Sequence, residues 1–139
     1  MTITGIDYIA VVIAAIAAFV WTMIYYIGLF KYWREAAGWS AGEVQGRRSR
    51  ATYIMTFIAL TIMSWTFAGP LSAFGANPLT AKSGVTYAVF IWLGFIAPII
   101  AVNNVIGGRK YMLSVIDGIH WLGVLLIEGA FIGVISSAS

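Results

Sequence analysis

Apolar residues gather into four long runs, and the polar residues gather between them. The runs cover roughly residues 6 to 30, 51 to 71, 85 to 106 and 112 to 135. Each is near or above the ~20 residues that cross a bilayer as a helix. None alternates polar and apolar with period two, as the strands of a membrane barrel would. The pattern predicts an all-α membrane protein of one domain, residues 1 to 139. Four transmembrane helices would form an up-and-down bundle. The connections are short apart from residues 31 to 50, so there is no room for a soluble domain.

Composition supports this class. The chain is 61% hydrophobic and 9% charged, against about 25% charged in soluble domains. So short a soluble chain could not hide that much apolar surface. Cysteine is absent, which excludes disulfides, thiolate metal sites and cysteine nucleophiles. The single histidine excludes bis-histidine haem ligation within one chain. No metal site and no cofactor is expected, and no catalytic residues are assigned.

Charge placement sets an orientation. The first loop holds Lys31, Arg34, Arg47, Arg48 and Arg50, and the third holds Arg109 and Lys110. The second loop holds only Lys82, and the tails hold no basic residue. Loops one and three are therefore expected in the cytoplasm, with both termini outside. The N-terminus lacks the basic region of a cleavable signal, so the first span is expected to remain. Arg47, Arg48 and Arg50 border the second span, where they set topology and can meet anionic lipid head groups. The cluster is too short and too close to the membrane to suit nucleic acid.

Several residues interrupt the apolar runs. Gly69-Pro70 is expected to end the second helix, and Asn77-Pro78 to turn the outer loop. Pro98 should kink the third span. Tyr25, Tyr26, Tyr32, Trp33 and Trp39 cluster where amphipathic rings settle at an interface. IGLFKYW at 27 to 33 echoes IGGRKYM at 106 to 112, a pattern that a duplicated two-helix unit would leave.

The fourth run carries Asp117, His120 and Glu128. Counted from Tyr111, Asp117 lies about 9 Å and Glu128 about 25 Å along a helix. Glu128 is thus expected near the outer interface. Asp117 and His120, three apart, can interact. With Asn103, Asn104 and Tyr25 they form a candidate polar cluster in the inner leaflet, in which Asp117 and His120 would face Asn103 or Asn104. Such groups either hold helices together by hydrogen bonds or form a site for a solute, a quinone head group or a proton relay. Gly129 and Gly133 form a GxxxG, which lets helices approach closely within or between chains. Ala14, Ala15, Ala17 and Ala18 read the same way.

The second half also resembles a known family. Trp92-Leu93-Gly94-Phe95, then Asn103 and Asn104, Gly108 and Arg109, and Leu113, Ile116 and Asp117 are similar to motifs of the bacterial membrane family catalogued as domain of unknown function 1761. Tyr26, Phe30 and Trp33 approximate its aromatic exit from span one. The resemblance implies four spans and carries no activity.

Two functions fit these observations. One is a small structural or interaction protein of the bacterial inner membrane, self-associating or serving as an accessory subunit. Its partners would be the lipid bilayer, a second copy or another membrane protein. The alternative is a small-solute, ion or proton transporter or channel working as an oligomer. An enzyme is not expected.

Overall fold

The computed structural model describes residues 2–3, 6–40, 49–74 and 79–138. Among the described residues the protein is helical but for turns and one short pairing, β1 (Thr2–Ile3) with β2 (Ile6–Asp7), in which Thr2 opposes Asp7 and Ile3 opposes Ile6. Five helices follow: α1 (Tyr8–Gly28), α2 (Phe30–Ala37), α3 (Arg50–Phe74), α4 (Ala81–Ile106) and α5 (Tyr111–Ala138). All but α2 are long and apolar enough to cross a membrane.

Local chemistry sets the helix ends. Asp7 caps α1, its carboxylate accepting from the backbone N–H groups of Ile9 and Ala10 at 3.1 and 3.2 Å. These would otherwise be orphan donors. Thr80 caps α4 through a capping box with Ser83, so the helix starts at Ala81, ahead of the apolar run. The α4–α5 turn is a Schellman motif. Gly108 takes φ 68°, the Arg109 N–H reaches the Asn104 carbonyl at 2.9 Å, and the Gly108 N–H reaches Val105 at 3.1 Å. Gly38 ends α2 in the same way, but it lies outside the echoed stretch 27–33, whose break at Leu29 has φ −107° and is a different turn.

One expectation at a proline changes. Gly69-Pro70 does not end the second helix, which runs on to Phe74 through a π turn over Phe67–Leu71. Proline removes a backbone donor. The wider turn accommodates it, and the Ser72 hydroxyl donates to the Ala68 and Gly69 carbonyls at 3.0 and 2.9 Å. In α4 a second π turn, Trp92–Ile96, lies just ahead of Pro98, with the Ala97 N–H reaching back to the Trp92 carbonyl. A π turn inserts one residue and shifts the facing stripe by about 100°. Gly84 and Ala88 before it and Asn104 after it are all buried. Asn77 and Pro78 lie outside the described residues.

α5 is the central helix. It packs most extensively on α4 and on α1, while α3 lies chiefly against α1. Small residues allow this. Ala10, Ala14, Ala15 and Ala18 of α1 have no exposed surface. At the α4–α5 crossing, a Cβ on Gly84 would strike the Gly129 carbonyl, and one on Gly129 would strike the Gly84 carbonyl. Gly133 meets the backbone of Thr80 and Ala81 in the same way. The GxxxG therefore joins two helices of one chain. Three apolar clusters stack along α5: Leu125 and Ile132 with Phe67 and Ala88, then Val124 with Ala18 and Leu60, then Leu113 and Ile116 with Ala36.

Candidate functional site

α1, α2 and α4 turn a set of donors onto residues 116–120 of α5. The Tyr25 hydroxyl donates to the Ile116 carbonyl at 2.6 Å, the Trp92 indole to the Gly118 carbonyl at 2.7 Å and the Trp21 indole to the His120 carbonyl at 3.0 Å. A helix carbonyl keeps a second lone pair beyond its own ladder bond. Three alternate carbonyls of one helix are thus gripped by aromatic rings of its neighbours. Because Trp21 meets residue 120 and Tyr25, one turn later, meets residue 116, α1 and α5 run antiparallel here.

Side chains complete the collar. Asp117 Oδ1 accepts from the Tyr26 hydroxyl at 2.8 Å and from the Trp33 indole at 3.1 Å. His120, 1% exposed, lies 2.9 Å from Thr22 through Nε2. Thr22 has one hydroxyl hydrogen and directs it at the Ala18 carbonyl, 2.9 Å away. The Nε2–H of His120 then donates to Thr22, and in a neutral ring Nδ1 is the acceptor. Nδ1 is buried and has no partner. Tyr26 and Trp121 pack on the imidazole with ring centres 4.6 Å away.

The collar holds Asp117, His120 and Tyr25, with Asp117 and His120 on separate partners, and Asn103 and Asn104 do not join them. Asn104 is buried and donates to the Ser114 hydroxyl at 3.0 Å, pinning α4 to the start of α5. Asn103, one residue and about 100° further round the helix, is exposed. The partners of Asp117 and His120 come instead from the first span and α2. The sequence reading missed Trp21 and Thr22, placed Trp92 only among the motif residues, and left Tyr26 and Trp33 as motif residues and interface anchors. A signal for part of this existed. Trp21, Thr22, Tyr25 and Tyr26 stand at i, i+1, i+4 and i+5, one continuous helix face.

Glu128 forms a separate site. It has no exposed surface, and its Oε2 accepts from the buried Ser64 hydroxyl at 2.7 Å, while Oε1 has no partner. α5 runs to Ala138, further than the apolar run suggested. Glu128 therefore lies about 5 Å past the midpoint of α5. His120 and Glu128 are separated by about 12 Å of helix, and Val124, Ala18 and Leu60 pack between. Among the described residues no group of three or more His, Asp or Glu could hold a metal ion. Arg50 is exposed at the start of α3, and Arg47 and Arg48 lie outside the described residues.

The family model for "Protein of unknown function (DUF1761)" matches residues 9–133, nearly the whole chain, and the chain belongs to that family. No curated protein and no solved structure matches it.

Proposed function

We propose that this member of the family is a structural or interaction protein of the bacterial inner membrane, not an enzyme. It would self-associate or serve as an accessory subunit of a membrane complex. One observation carries this reading: the polar groups of α5 are largely spent on donors from their own chain. Ile116, Asp117, Gly118, His120 and Glu128 each accept from α1, α2, α3 or α4, or donate there. Buried polar groups so occupied hold helices in register. α4, by contrast, buries little of its length and turns Phe90, Leu93, Phe95, Ile99 and Val102 outward. That surface is available to lipid or to a partner.

Reconstitution in nanodiscs followed by native mass spectrometry tests the reading. A defined oligomer, with no solute or proton flux in proteoliposomes, is expected. A monomer that conducts would sink it. A transport path has one observation in its favour, the partnerless His120 Nδ1 and Glu128 Oε1. The apolar plug between them counts against it.

Orientation is part of the same proposal. The up-and-down bundle would keep both termini outside and the basic loops in the cytoplasm. A reporter active only in the cytoplasm is expected to work after Trp39 and to stay silent at either terminus. The opposite pattern would overturn the orientation.

A further inference from the structure

Basic residues from both halves of the chain meet at one end of the bundle. Trp33 of α2 bonds Asp117 of α5 at 3.1 Å, and Ala36 packs with Leu113 and Ile116. Arg109, in the α4–α5 turn, is near enough for its charge to act on the same Asp117. α2 and the turn therefore flank the first turns of α5. α2 brings Lys31 and Arg34, the turn brings Arg109 and Lys110, and Glu35 is the one acidic residue of α2. Lys31, Arg109 and Lys110 are exposed, and Arg34 is half-buried. None of the four forms an ion pair with a described residue. The turn itself is held in shape. Gly108 takes φ 68°, the Arg109 N–H bonds the Asn104 carbonyl, and the Arg109 side chain folds back over Gly107, where a Cβ would stand 3.7 Å from Nε.

The surroundings of these cations identify their partner. Val105 and Ile106, just before the turn, are 76% and 81% exposed, and Tyr111, just after it, is 79% exposed. Tyr32 stands exposed beside Lys31. Large apolar groups this open, on both sides of a charged turn, mark a surface that is not left to bulk water. At a membrane surface they enter the acyl region while Lys and Arg heads rise to the phosphates. A water-soluble polyanion would leave the same side chains in water.

We propose that Lys31 and Arg34 of α2, with Arg109 and Lys110 of the α4–α5 turn, form a binding surface for the phosphate of an anionic phospholipid. Arginine offers a planar fork of donors that matches a phosphate, and lysine a point charge. Sequence alone placed this role on Arg47, Arg48 and Arg50; the fold adds a surface that no single loop contains. It stands apart from self-association and from orientation, since one chain supplies all four residues.

The test uses the intact protein in nanodiscs of equal phosphatidylglycerol and phosphatidylcholine, with the lipid that stays bound counted by native mass spectrometry. The wild type should retain phosphatidylglycerol in excess. Each near-surface charge contributes about a fivefold preference, so Arg109→Gln with Lys110→Gln should cut that excess about thirtyfold. Lys82→Gln, at the far end of α4, should leave it unchanged. Thermal unfolding close to that of the wild type shows that the double variant is folded; if it misfolds, Lys31→Gln with Arg34→Gln is read in the same way. Equal retention of the two lipids by the wild type would overturn the proposal. So would an excess that survives the double substitution, or one that falls equally with Lys82→Gln.

Discussion

Gly129→Ala should destabilise the protein by about 3 kcal/mol, the upper end of what overpacking costs. The added Cβ would meet the Gly84 carbonyl and carbon and stand 3.3 Å from Phe67 Cε1. Two of those neighbours are backbone, which cannot swing aside as a flexible side chain would. Relief requires α4 and α5 to separate along their whole crossing, and the Gly133 contact with Thr80 and Ala81 would go with it. Gly94→Ala is the control. A Cβ there meets nothing within 4 Å, so helix propensity should make it neutral or stabilising by up to about 1 kcal/mol. Thermal unfolding in detergent, with oligomer size followed in parallel, separates the two. Equal melting of both variants would show that the crossing is not where the stability lies. A change in oligomer size without loss of stability would move the GxxxG contact to a second chain.

Ser64→Ala should be costly in a different way. The serine supplies the hydrogen bond to Glu128, which has no exposed surface. Removing it leaves a buried carboxyl with two partnerless oxygens, at a cost of about 3 kcal/mol. Glu128→Gln keeps an oxygen for Ser64 and should lose less than about 1 kcal/mol. Glu128→Leu placed in the Ser64→Ala background should recover most of the loss, since neither polar group then remains unpaired. The expected signature is non-additivity: the pair of substitutions costs less than Ser64→Ala alone. Losses that simply add would mean that the contact contributes nothing to the fold.

Much of the architecture was legible because a bilayer imposes a coarse rule. A helix must be long and apolar enough to satisfy its own backbone, and four runs of this chain obey that. Their number and approximate limits followed from hydropathy, and the small-residue face around Gly129 followed from the GxxxG spacing. The errors sit at ends and breaks. α4 begins at Ala81 because a Thr80–Ser83 capping box lies upstream of the apolar residues. α3 passes Pro70 through a π turn, with the Ser72 hydroxyl bonding the Ala68 and Gly69 carbonyls just beyond. Neither effect appears in a hydropathy pattern, since both depend on individual hydrogen bonds.

By itself the sequence determined the class, the four spans, the family and the fact that α5 must find partners for Asp117, His120 and Glu128. Tertiary structure alone decided which partners. Asn103 and Asn104 were as plausible by depth as Tyr26, Thr22 and Trp33, because depth along one helix says nothing about rotation of the next. Rotation depends on the backbone crossing of Gly84 with Gly129, on the two π turns and on indole bonds from Trp21 and Trp92 to α5 carbonyls. These are contacts between residues far apart in the chain. They arise only when helices pack, which is why Asp117 meets α1 and α2, and Asn104 is left to Ser114.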